Sequence, residues 1–231
     1  MKLKRKRPQP VTLADSLDNL IREHSFRQHP FNRAWSEGRL PIESLQLYVV
    51  QYNHRVLAFP EDLKQLAGRS TGQARELIEA AVAEELNPSA SYPALWRQFA
   101  RALGVTDETL DKSHPLPGIA AFLDTYEEVV ADGPVTQGIA AFYIYQAQAS
   151  DVAVQKAVAL SRHYRISDPR SLAYFDVQQV NGPRRAAAWR EWLATEGNPD
   201  AFAALCAAER CLKAVRGAID AVSPQTLAFT A

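Results

Sequence analysis

The sequence has no excess of either charge. Lys plus Arg and Asp plus Glu both total 26 across 231 residues, so no global field draws the chain to nucleic acid or an anionic membrane. The one basic run, Lys2 to Arg7, reads as a solvated tail over 1–10 ahead of a domain at 11–231. No apolar run approaches the roughly 20 residues of a membrane span. The N-terminal charges have no apolar stretch behind them, so no secretory signal is expected. There are only two cysteines, Cys206 and Cys211. Their five-residue spacing on a helix points them to different faces, which argues against a bridge, and both read as small core residues. These features are those of a cytoplasmic protein. Gly-x-Ser-x-Gly elbows, phosphate loops and Cys-x2-Cys pairs are missing as well.

Strand signals are nearly absent, while helical periodicity runs through most of the chain. The spacing predicts helices over 12–25, around Phe31–Trp35, from Pro41 through Val56, and over 73–85, 92–103 and 116–131. Further helices are expected over 135–149, 151–164, 169–181, 183–193 and 199–222. Pro60 is expected to kink its helix, and Gly182-Pro183 to interrupt another. Connections are short, with no internal repeat and no linker. The expected fold is all-α, a single-domain bundle of about seven main helices.

Three stretches carry a family resemblance. The first is His29-Pro-Phe-Asn-Arg-Ala-Trp-Ser-Glu-Gly38, continuing to Tyr48-Val-Val-Gln-Tyr52 and Ala58-Phe-Pro60. The second is Glu84-Glu-Leu-Asn87 followed by Tyr92-Pro-Ala-Leu-Trp-Arg-Gln-Phe99. The third is Ala141-Phe-Tyr-Ile-Tyr145, then Lys156 and Leu172-Ala-Tyr-Phe175. In this order they resemble the PqqC-like and CADD-like branch of the heme-oxygenase-like fold, over roughly residues 15–190.

The resemblance implies a helical bundle around a small-molecule pocket. Many relatives hold two non-heme irons and use dioxygen, others oxidise a substrate without metal, and TenA-type relatives are hydrolases; fold alone does not choose among them. Residue by residue, the six iron-ligand positions fall at Glu85, Tyr92, Gln146, Gln178, Gly182 and Arg185. Only Glu85 keeps a ligand type. Amides are poor iron ligands, glycine offers no side chain, and arginine is cationic. The five histidines are His24, His29, His54, His114 and His163. None forms a His-x3-His or Glu-x2-His pair, and only His54 falls on a helix expected to face the pocket. No metal and no cofactor are expected.

The replacing residues are mostly polar, which argues for a polar cavity rather than one filled by drift. Arg185 has two readings: a buried ion pair with Glu85, or a clamp for the carboxylate of a bound acid oriented by Gln146 and Gln178. Tyr48, Tyr52, Tyr143 and Tyr145 form aromatic stripes that are core or cavity wall. Some CADD-like relatives make p-aminobenzoate from their own tyrosine and lysine side chains. Lys156 matches the lysine, but Asn32 stands at the tyrosine position. Two functions follow: a metal-independent oxidase or related enzyme acting on a small polar metabolite, or a non-catalytic ligand-binding or partner subunit. The partners expected are a small-molecule ligand and a second chain, as a homodimer or with a related protein.

Overall fold

The computed structural model describes residues 11–196 and 200–224. The basic run at 1–10 and the expected helix start at Pro199 lie outside them. Ten α-helices occupy the described residues: α1 (Leu13–Glu23), α2 (Pro30–Ser36), α3 (Ile42–Arg69), α4 (Gly72–Glu85), α5 (Tyr92–Ala102), α6 (Asp107–Lys112), α7 (Pro117–Asp132), α8 (Val135–His163), α9 (Pro169–Thr195) and α10 (Ala201–Ala221). A single 3-10 turn, Phe26–Gln28, joins α1 to α2. None of these helices is long and apolar enough to cross a membrane.

Helix starts follow local chemistry. Thr12 and Asp15 form a reciprocal capping box on α1, and the side chains of His29, Ser91, Thr106 and Asp168 accept from first-turn amides of α2, α5, α6 and α9. Each satisfies a donor that a helix end otherwise leaves orphaned. One continuous core, which includes the fully buried Trp35, Trp96 and Trp189, gathers apolar faces from all ten helices. α8 and α9 pack against each other along their length and form its centre.

Three expectations are corrected. The helix count is ten rather than about seven main ones: two pairs of the eleven expected segments are single helices, α8 and α9, and α6, with six residues, is too short to show periodicity. Ser150-Asp151 resembles a helix start, yet α8 runs unbroken past it. The Ser150 hydroxyl donates back to the Gln146 carbonyl at 3.2 Å, so it serves the existing helix instead of capping a new one. Gly182-Pro183 does not interrupt α9, which is continuous from Pro169 to Thr195. Gly182 is there for closeness: a Cβ on it would lie 2.2 Å from Ser150 Oγ and 3.2 Å from Gln146 Nε2. Packing of α9 on α8 outweighs the local helix-breaking tendency of the pair. Pro60 lies within α3, which runs from Ile42 to Arg69, and is buried along with Phe59 and Leu63.

This close approach yields a test. Gly182→Asp, which would return an acid to that ligand position, forces its side chain into Ser150, and Gly182→Ala does so with one carbon. Gly182→Ala is expected to lower stability by about 1–3 kcal/mol despite alanine's better helix propensity. Urea unfolding measures it, and Ser150→Ala in the same chain should recover part of the loss.

Candidate functional site

A cavity opens among α2, α3, α5, α7, α8, α9 and α10. On α3, Tyr48, Tyr52 and Arg55 line it at helical spacing, with Gln51 between them. Trp96 closes it from α5, Phe122 from α7, Tyr145 and Lys156 from α8, and Tyr174, Phe175 and Gln178 from α9. Aromatic rings dominate the wall: Tyr48 and Tyr52 stack with centroids 5.3 Å apart, and Trp96 stands against both. Burial pushes the phenols of Tyr48, Tyr52, Tyr145 and Tyr174 well above the usual tyrosine range, so they remain neutral. The Tyr52 and Tyr145 hydroxyls hydrogen-bond to each other.

Lys156 is the unusual group. It is 6% exposed, and its Nζ donates to Tyr48 Oη at 2.8 Å. The same nitrogen lies 3.9 Å from the Tyr48 ring centroid and 4.6 Å from that of Trp35. No carboxylate pairs with it among the described residues, and burial pulls its pKa down to about 7. Near neutral pH a large fraction of this amine is therefore uncharged, with a lone pair available. Asn32 lines the same cavity; its Nδ2 donates to the Phe26 carbonyl at 2.9 Å, while its Oδ1 has no partner among the described residues.

Of the six positions matched to iron ligands, Gln178 lines this cavity and Glu85 a smaller hollow next to it. Arg185 Nη1 donates to Glu85 Oε1 at 2.7 Å, and Arg185 Nη2 to Glu84 Oε2 at 2.9 Å. Arg185 Nε also reaches Glu84 Oε2, at 3.3 Å. All three nitrogens of the guanidinium are thus engaged by Glu84 and Glu85, the arrangement of the ion-pair reading of Arg185 rather than of the carboxylate clamp. Burial raises the Glu85 carboxyl above its usual range, with the Arg185 charge opposing. Gln146 Nε2 donates to Gln178 Oε1 at 3.0 Å. The Tyr92 hydroxyl accepts from Asn181 Nδ2 at 3.3 Å, and burial pushes its pKa up to about 12.

These residues do not fit two iron ions. A guanidinium occupies the one carboxylate of the six positions, and the facing amides bond to each other. Among the described residues, no three His, Cys, Asp or Glu side chains form a group able to hold a metal.

Of the nine residues singled out in the sequence, Tyr48, Tyr52, Tyr145, Lys156 and Gln178 line the cavity. Glu85 borders a smaller hollow next to it, shared with Tyr52, Arg55, Tyr145, Tyr174 and Gln178. Tyr92, Gln146 and Arg185 line neither, so of the polar replacements only Gln178 furnishes the main cavity. Its wall is correspondingly more apolar than expected. His54 does not face it but bonds to Ser113 Oγ at 3.1 Å. His29 is buried, capping α2 and pairing with Asp220 at 3.0 Å. Tyr143 is also outside, donating to Asp18. Both cysteines are free thiols, Cys211 buried but Cys206 exposed, contrary to its core reading.

The residue that sequence reasoning missed is Arg55. It is 1% exposed and lines both the cavity and the adjoining hollow. The available signal was its register: it falls three residues after Tyr52 and seven after Tyr48, on the same helical face.

The chain is similar to known proteins in sequence and fold. The model of the TENA/THI-4/PQQC family matches residues 17–188. A 4-aminobenzoate synthase of Nitrosomonas europaea is 30% identical over 179 residues, covering 73% of each chain. A 4-aminobenzoate synthase of Chlamydia trachomatis is 29% identical over 211 residues, covering 91% of each. A TenA homologue from P. horikoshii superposes with a TM-score of 0.76 at 14% identity, covering 92% of this chain and 98% of that one, a likeness of fold. With the family model spanning most of its length and ten helices arranged as in a TenA structure, this chain belongs to the TENA/THI-4/PQQC family, with a heme-oxygenase-like fold.

Proposed function

We propose that this chain is a metal-independent enzyme of small-molecule biosynthesis, with Lys156 as the group that takes a proton from a substrate bound in the aromatic cavity. The observation that carries this reading is an uncompensated amine. Lys156 is buried on the cavity wall, has a hydroxyl rather than a carboxylate as its polar neighbour, and is lowered by burial to about pKa 7. A general base works best with its pKa near the working pH, and burial is the usual way to bring a lysine there.

The step is a proton transfer: a substrate C–H or N–H bond breaks, the proton goes to Nζ, and the electron pair stays on the substrate. The surrounding rings exclude water, and Tyr48 Oη fixes the amine in place. In the oxidase form implied by resemblance to metal-independent quinone-synthase relatives, the deprotonated substrate passes two electrons to dioxygen. The sum is SH2 + O2 → S + H2O2. The biosynthetic setting is supported by the 4-aminobenzoate synthases among the relatives. Their product is not assigned to this chain, because Asn32 stands at the tyrosine position of the CADD-like pattern.

Purified protein treated with a chelator and then exposed to a cell metabolite extract tests the reading. Mass spectrometry should show one small molecule consumed and another formed by the wild type, with turnover lost in Lys156→Met. Turnover that requires added iron, turnover retained by Lys156→Met, or no turnover at all would overturn it.

A further inference from the structure

Arg55 is built as half of an interaction that the protein itself does not complete. Its Nη1 donates to Asp62 Oδ2. Its Nε and Nη2, both fully buried, have no acceptor among the described residues. These two nitrogens form the side edge of the guanidinium, whose parallel N–H bonds match the two oxygens of a carboxylate. The rings of Tyr126 and Phe59 lie 4.3 and 4.7 Å from its Cζ. They stabilise the positive charge and hold the plane of the group, yet they satisfy neither N–H. Buried donors left without partners are costly and rare, and they concentrate where a ligand or water completes the set.

The other guanidinium beside the cavity provides the contrast. Arg185 has three nitrogens engaged by Glu84 and Glu85, so it is structural. Arg55 is on the cavity wall, next to Tyr52, Tyr145 and Phe122, with one edge engaged by protein and one free. We infer that Arg55 is the anchor of a ligand subsite that takes a small monocarboxylate with a flat or apolar body, the acid on the Nε–Nη2 edge and the body among the aromatic rings. A compound with several charges does not suit a wall so rich in rings. This rests on the cavity being a ligand site, as proposed above, but needs no chemistry at Lys156.

Benzoate and benzamide share size and shape and differ in the charge that Arg55 reads. Titrating each into the full chain, followed by the fluorescence of Trp96 and the other tryptophans, should give benzoate at least a tenfold tighter Kd. The double variant Arg55→Met/Asp62→Asn, which removes the guanidinium without stranding a buried carboxylate, should bring the two within about twofold. Lys156→Met should keep the preference for the acid. Equal binding of acid and amide by the wild type, absence of binding by both, or tighter binding of phenyl phosphate than of benzoate would sink the proposal. An unchanged preference in the double variant would do so as well. The wild-type comparison stands even where the double variant does not fold. A preference for the acid without turnover would end the catalytic reading and leave this one intact, and turnover without that preference would do the reverse.

Discussion

Replacing Arg185 by methionine is expected to destabilise the protein by about 3–5 kcal/mol at pH 7, because it leaves a buried carboxylate with no counter-charge. Glu85 is 2% exposed and takes its strongest polar contact from Arg185 Nη1 at 2.7 Å. The same guanidinium holds Glu84 and thereby ties the end of α4 to the middle of α9. The pH dependence follows from the opposing pulls on Glu85. In the wild type, burial already raises its carboxyl while Arg185 restrains it; without Arg185 the folded-state pKa rises further. A carboxyl with a raised folded-state pKa binds its proton more readily folded than unfolded. The variant should therefore lose stability as pH climbs from the usual glutamate range toward the raised value, and regain it on acidification. Adding Glu85→Gln to Arg185→Met should recover much of the loss at neutral pH, since no isolated charge then remains. Urea unfolding between pH 4 and pH 8 checks all three outcomes. A loss independent of pH would show that Arg185 matters through packing alone.

The same pair shows what the sequence alone could reveal. That Arg185 could meet Glu85 was one of two readings, open because both stand at positions that converge in the resembled family, and the helical fold followed from periodicity throughout. What could not be read was local chemistry overruled from a distance. Ser150 and Gly182 each carry a local signal, one for starting a helix and one for ending it. They face each other across α8 and α9, where the hydroxyl bonds backward and the missing Cβ permits contact. No window of sequence contains both. Arg55 was missed for a related reason. Its significance lies in which of its nitrogens lack partners, and that depends on Asp62 two turns further along α3 and on rings from α7 and α8. The polar residues at the old ligand positions were legible as types but not as partners: Arg185 pairs with Glu85 and Gln146 with Gln178, and the unpartnered donors of Arg55 lie elsewhere.

Replacing Lys156 by methionine is expected to act in the opposite direction, stabilising the fold at neutral pH while abolishing turnover. Methionine has nearly the length of the lysine stem and carries no charge to desolvate. Burial holds the folded-state pKa at about 7, against an ordinary lysine value of 10.5. For a base lowered in this way, the unfolded chain binds more protons than the folded one between those two values. The lysine's penalty is therefore complete below about pH 7 and disappears as pH rises toward 10.5. A tenfold change in proton affinity corresponds to about 1.4 kcal/mol. After allowance for the lost hydrogen bond to Tyr48, the gain from Lys156→Met should be on the order of 3 kcal/mol at pH 6–7. It should shrink steadily above pH 8. Urea unfolding of the two proteins across this range measures the gain, and reductive methylation with carbon-13 followed by NMR reads the amine's midpoint directly. A lysine kept only for packing would be expected to carry no such cost, because methionine fills the same space without it. If Lys156→Met is neutral or destabilising across the range, or if the amine titrates near its ordinary value, Lys156 is charged and solvated in the folded protein. It could not then be the base, and the catalytic reading would fail with it. A stabilised but inactive variant would place Lys156 among side chains kept for reactivity at the expense of stability, as acid–base groups at active sites often are.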